Sequence, residues 1–285
     1  MTINATRKII SLTGPNCSFG NTSACRVDVV VGATPFFTDG FESGNLTYTE
    51  NGANWLAGTN TSVQSGRGNP GYALQFTFTG TPDADNPANA IGEQRFELGA
   101  LYVGLTTEFD LYIPDGAEAW GGAAYTHRTA TSGGSNNKFY RVWPGNGSEA
   151  SPNDTYNEPG KLGLSLLPEG SYSRLYCDWN SVDDGLGQTQ RGTPADGFIN
   201  ASDLGTWVSV KVYFYHAQSA SERSIIRVWK NGSLVINETN INNYRADQVG
   251  GWGAWYGYFL GAANTGFLNT TYLQVDNVRW YGGEA

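Results

Sequence analysis

Residues 206–237 read TWVSVKVYFYHAQSASERSIIRVWKNGSLVIN. In the first half, Val208, Val210, Val212 and Phe214 fall on one side, with Ser209, Lys211, Tyr213 and Tyr215 on the other. A period of two is that of a half-buried strand, whose successive side chains point to opposite faces. In the second half, Asn231-Gly232 separates two β-prone runs, and this pair tolerates the positive φ angles of a two-residue hairpin turn. The segment therefore predicts a strand followed by a hairpin.

The same texture extends over most of the chain. ALQFTFTG (73–80), RFELGA (95–100), TEFDLYIP (107–114), KFYRVWP (138–144), KLGLSLL (161–167), SRLYCDW (173–179), WYGYFLG (255–261) and TYLQVDNVRWY (271–281) are short β-prone runs cut by turns. No helical segment of 10–15 residues lies between them, so the expected class is all-β, a two-sheet antiparallel sandwich of jelly-roll type. In the run ending at Trp179, Leu175, Cys177 and Trp179 oppose Tyr172, Arg174, Tyr176 and Asp178. One face of each strand is apolar, and the other mixes tyrosine with charge. Such a face suits sugars, which present flat apolar patches beside hydroxyl groups.

Residues 1–33 read differently. RKIISL and CRVDVVV flank a turn-rich TGPNCSFGNTSA, which predicts an N-terminal β-hairpin arm distinct from a sandwich over 34–285. A lone hairpin has little core, so it needs a sheet edge or a neighbouring subunit to pack on. Cys17 and Cys25 lie eight apart across its turn, as a disulfide or as two reduced small side chains; Cys177, in an apolar strand, reads as a buried thiol.

Composition excludes other classes. The 285 residues hold 38 glycines, 9 Trp, 16 Tyr and 13 Phe, while charged residues make up only 15%. That is too aromatic for a disordered chain and too poor in strong helix formers for a bundle. A net charge of −9 argues against nucleic acid as a partner. No apolar run approaches the 18 residues of a membrane-spanning helix. The apolar stretch behind Arg7-Lys8 is too short for a signal-peptide core. Asn-x-Ser/Thr occurs more often than chance would give, through glycosylation or because all three residue types crowd into turns.

FFTDGFESGNL (36–46), KFYRVWP (138–144), the 206–237 segment and LQVDNVRWYGG (273–283) together resemble the concanavalin A-like jelly roll of polysaccharide lyases, laminin-G-like lectins and phage or virus surface proteins. The glucanase branch needs Glu-x-Asp-x-x-Glu; here Glu108-Phe109-Asp110 is followed by Ile113 in the third acid's place, so that activity is excluded. The lyase branch needs a Tyr or His base and cations to neutralise a uronate carboxylate. His127, with Tyr125 and Arg128, is one candidate set, with Lys138, Arg141 and Arg174 completing a cationic face. The alternative is a strand-end histidine in ordinary hydrogen bonds, as for His216. The alginate-lyase signatures are absent, and only GEQRFEL and WYGYFLGA approach two of them. The resemblance also implies a structural Ca²⁺ held by Asp39, Glu42 and Asp276, against a turn Asp and a solvated Glu.

Candidates for sugar contact are Trp120, Trp252 and Trp255 on glycine-rich segments, and Tyr140, Arg174 and Tyr176 on sheet faces; Trp179 and Trp207 are expected in the core. The whole points to a non-catalytic glycan-binding surface protein, a virion component such as a capsid decoration, fibre or tail adhesin. Its arm would add a strand to a neighbouring capsid or tail subunit, within a homo-oligomer working in a virion or outside the cell. The alternative is a polysaccharide lyase acting on a uronate-containing polymer by β-elimination.

Overall fold

Seventeen strands and one short 3-10 turn (Ala201–Asp203) make up the regular structure of the computed structural model, among the residues it describes. These are 34–68, 71–79, 90–115, 137–144, 161–169, 172–180, 189–244, 253–263, 267 and 270–285. The arm with Cys17 and Cys25, and Trp120, Tyr125, His127, Arg128 and Trp252, lie outside them.

The strands form two antiparallel sheets. In chain order they are β1 (Phe37–Asp39), β2 (Thr49–Glu50), β3 (Ala53–Thr59), β4 (Thr61–Gly68), β5 (Gly71–Phe78), β6 (Ile91–Tyr102), β7 (Gly104–Ile113), β8 (Asn137–Pro144), β9 (Leu162–Glu169) and β10 (Tyr172–Asn180). There follow β11 (Thr189–Arg191), β12 (Ala195–Ile199), β13 (Thr206–Tyr215), β14 (Ser224–Lys230), β15 (Ser233–Ile241), β16 (Ala254–Ala262) and β17 (Thr271–Gly282). The first sheet runs β15-β14-β13-β7-β17-β5-β4, with β1 also on β17. The second runs β11-β10-β9-β8-β16-β6-β3-β2, with β12 also on β10. In each sheet, runs of consecutive strands are joined through strands distant in sequence, β13-β7-β17-β5 in the first and β8-β16-β6-β3 in the second, which is the crossover pattern of a jelly roll rather than a meander.

The 206–237 segment supplies β13, β14 and part of β15, and its faces are as the alternation predicts: Val208, Val210, Val212 and Phe214 are in the core. The turn is the primed type, with Asn231 at φ 48° and Gly232 at φ 78°. A Cβ at Gly232 would meet nothing within 4 Å, so only the backbone objects to a side chain there. Gly232→Ala should therefore cost ~1–2 kcal/mol and lower Tm by about 2–8 °C. An unchanged thermal unfolding curve would refute that reading of the turn.

Between the sheets lies an aromatic core. Trp280 of β17 stacks on Phe37 at 4.2 Å and packs on Phe96 at 4.8 Å and Trp55 at 5.3 Å. Phe96 stacks on Tyr140, Tyr140 on Phe214, and Phe109 meets Phe259 edge-on. Trp207 departs from expectation. Its β13 neighbours Val208 and Val210 face the core, so Trp207 faces outward, half-buried against Tyr112 at 5.3 Å.

Candidate functional site

The outer face of the second sheet gathers the chemistry. Strands β6, β16, β8, β9 and β10 are consecutive neighbours there. Their core side is Phe96, Leu98, Phe259, Val142, Leu164, Leu175 and Cys177. Alternation therefore sends Arg95 and Glu97, Tyr256 and Tyr258, Arg141 and Trp143, Ser165, and Tyr176 and Asp178 to the opposite face. Register then aligns them. Tyr258 lies directly opposite Arg95 on one side and Arg141 on the other. Arg141 lies opposite Gly163, and Gly163 opposite Asp178. The result is one row, Arg95–Tyr258–Arg141–Gly163–Asp178, and directly opposed side chains sit about 4.5–5.5 Å apart at Cβ. Beneath the row, Gly257 makes room for the core ring of Phe96, because a Cβ there would collide with that ring and with the Arg141 carbonyl.

The phenol ring of Tyr258 is held between an aromatic and a cation. Trp143 meets it edge-on at 5.0 Å, and the Lys138 Nζ stands 5.9 Å from its centroid. Arg141 Nη2 donates to Asp178 Oδ2 at 3.2 Å and to Ser165 Oγ at 3.3 Å. Ser165 donates to the same Oδ2 at 2.8 Å, and Lys161 Nζ lies 3.4 Å from Oδ1. The row is open at one end and buried beyond it: the Arg95 side chain is 28% exposed and paired with Glu93 at 2.6 Å. Tyr258 is 0%, Arg141 and Lys161 each 5%, and Asp178 1% exposed. Burial, the largest influence on Asp178, pushes its carboxyl up, but Arg141 and Lys161 with the Ser165 hydroxyl outweigh it and hold it below the usual range. The depressed value means that the ion pairs contribute above the ordinary carboxylate range and are lost as pH falls through the folded-state value.

Chemically, a tyrosine with an arginine directly opposite it on each neighbouring strand is a set for acid–base work beside a bound anion. Of the expected lyase residues, Lys138 and Arg141 meet here. Sequence reasoning missed Tyr258, Arg95, Lys161, Ser165 and Asp178 as partners. The signal was present in GEQRFEL and WYGYFLGA, which become the adjacent strands β6 and β16. His216 is elsewhere, fully buried at the end of β13 in the first sheet, its backbone N–H donating to Val103.

Two of the expected sugar contacts, Tyr140 and Tyr176, are buried, and the other described candidates take the following places. Tyr140 is not a surface residue: the register shifts between Lys138 and Tyr140, and this bulge turns Tyr140 into the core with Phe139. Its hydroxyl bonds Thr107 Oγ1 at 2.6 Å, and burial pushes its pKa up. Tyr176 does face away from the core but is buried, so it offers no stacking surface. Arg174 is at the surface, paired with Asp196 at 2.9 Å. Trp255 is half-buried and donates its indole N–H to Glu97 at 3.2 Å. Ile113, in the missing acid's position, is core. Cys177 is buried and unbridged, and burial, then Glu238, pushes its thiol up to about 12.

The three acids expected to hold calcium each accept N–H bonds from their surroundings. Asp39 turns both oxygens to N–H donors, Phe41 backbone and Trp55 Nε1, each at 2.7 Å. Burial raises its pKa, partly offset by these bonds. Glu42 accepts from the Tyr72 backbone N–H, and Asp276 from that of Asn277. Among the described residues no three His, Cys, Asp or Glu side chains gather at metal-binding distance.

No protein-family model matches the chain, and no curated protein does. Solved structures do. The endo-β-1,4-glucuronan lyase of the fungus Trichoderma reesei superposes with a TM-score of 0.55 at 15% identity, over 88% of this chain and 96% of that one. The alginate lyase vAL-1 from Chlorella virus gives 0.60 at 9%, over 87% and 100%. The alginate lyase Aly36B gives 0.56 at 10%, over 89% and 100%. At such identities the likeness is one of fold. The chain thus has the concanavalin A-like jelly-roll fold, and similar folds of this kind occur in polysaccharide lyases.

Proposed function

We propose that the chain is a polysaccharide lyase that cleaves a uronate-containing polymer by β-elimination on the outer face of the second sheet. The observation that carries this reading is the row Arg95–Tyr258–Arg141 across three neighbouring strands. In the reaction, a base removes the proton α to the uronate carboxylate, and negative charge spreads into that carboxylate. The β carbon–oxygen bond then breaks, a carbon–carbon double bond forms, and the departing oxygen takes up a proton. Arg141 and Arg95 neutralise the carboxylate and the charge that grows on it, which is where fixed donors accelerate most. Tyr258, between them, is the proton carrier. Arg141 serves while paired with Asp178, since a guanidinium has five N–H donors in a rigid fork. The fold neighbours, named as lyases of glucuronan and alginate, agree with a polyuronate substrate.

The test is incubation with polymannuronate, polyguluronate, polyglucuronate and polygalacturonate. Ultraviolet absorbance of unsaturated uronate ends should rise with at least one; a flat trace with all four overturns the lyase reading. A second reading draws on the burial of Tyr258 and the capping of Arg141 by Asp178. On it the chain is a non-catalytic glycan-binding virion protein, attached through residues 1–33 to a neighbouring capsid or tail subunit. Retention of a polyuronate without any absorbing product would favour it.

A further inference from the structure

We propose that Asp178 is a positioning residue that aims the Arg141 guanidinium at the substrate carboxylate, and that this hold sets a preference for free uronate over its ester. The proposal deepens the lyase reading and rests on it. Arg141 and Asp178 are on strands β8 and β10, which do not pair with each other; β9 lies between them. They meet because the residue between them in register is Gly163. A Cβ at Gly163 would stand 2.9 Å from Asp178 Oδ1 and 3.0 Å from Arg141 Cγ, in the path of the bridge. The missing side chain is the passage through which the two reach one another.

Asp178 is itself held. Ser165 donates to its Oδ2 at 2.8 Å, the same oxygen that receives Arg141, and Lys161 draws on Oδ1 at 3.4 Å. All four side chains are buried, so their geometry is set by packing rather than by averaging in solvent. Stability alone is a poor account of such a cluster, because apolar side chains of like volume in place of a buried ion pair are often as stable or more so. Fixed direction is what the ions add. A guanidinium fork recognises a carboxylate by two parallel N–H bonds and a methyl ester far less well. The fork's direction therefore becomes a selectivity for charge, at the register position beside Tyr258.

The experiment compares wild type, Asp178→Asn and Ser165→Ala on polymannuronate, polyguluronate, polyglucuronate and polygalacturonate, each as free acid and as methyl ester. It reads kcat and KM, retention in gels containing the polymer, and Tm. Asp178→Asn should lower kcat/KM on the free acid by up to ~10²-fold and lower the acid-to-ester ratio by a similar factor. Ser165→Ala should move both in the same direction by a few-fold, and it decides the matter if Asp178→Asn does not fold. Wild-type acid-to-ester ratios in folded variants overturn the positioning role and leave the lyase reading intact. If wild type retains a polyuronate without cleaving it, the lyase reading fails alone and the acid-to-ester ratio of retention decides the role of Asp178. If wild type neither cleaves nor retains any polymer, both fail.

Discussion

Tyr258→Phe should abolish most of the release of unsaturated uronate, lowering kcat by about 10²–10⁴-fold, the range over which a positioned proton carrier contributes. The substitution removes one oxygen and nothing else. The ring stays edge-on to Trp143 and under the Lys138 ammonium, so the packing of the face is preserved. KM should change little, because Arg95 and Arg141 still meet the carboxylate. A variant with wild-type Tm and activity within a few-fold of wild type would remove Tyr258 from the mechanism. The same experiment on Tyr256, two residues along β16 and opposite Trp143 and Glu97, provides the contrast. It shares strand, face and chemistry with Tyr258 but has no arginine opposite it, so Tyr256→Phe should leave most activity in place.

That contrast shows where the sequence was legible and where it was not. Faces were legible when alternation ran unbroken, as in β13, where four alternate apolar residues all became core. The Asn231-Gly232 turn was legible because its backbone demand is local. Tyr140 was not, because one bulge between Lys138 and Tyr140 reverses the parity of the strand, and no residue type in NKFYRVWP announces it. The candidate site was the least legible. Arg95 and Tyr258 are 163 positions apart, and Arg141 and Asp178 are joined by a glycine on a third strand. Local pattern shows which face a residue takes, whereas a site is made by which strands lie side by side. GEQRFEL and WYGYFLGA lie far apart in the chain; their adjacency is a property of the fold.

The largest loss of stability is expected from Trp280→Ala. Trp280 is fully buried on β17, an interior strand of the first sheet, and its ring reaches across the sandwich to Phe96 and Trp55 of the second. It also stacks on Phe37, whose strand β1 pairs only with β17 among the described residues, so the contact ties β1 to the core as well. Truncating such a residue costs ~3–5 kcal/mol, because the transfer energy is lost and the cavity does not fully collapse. In a domain of this size Tm should fall by about 6–20 °C. Trp280→Phe keeps an aromatic surface against Phe96 and should recover a large part of that loss. If Trp280→Ala unfolds at the wild-type temperature, the aromatic core does not join the sheets as described. The consequence for the site follows from β6. Phe96 and Arg95 are consecutive residues, one beneath the sheet against Trp280 and one above it beside Tyr258. A cavity under Phe96 loosens the strand that sets the exposed end of the row. Trp280→Ala, assayed well below its Tm, should therefore raise KM for the polyuronate more than Trp280→Phe does, whereas a purely global effect on stability would leave both at the wild-type value there.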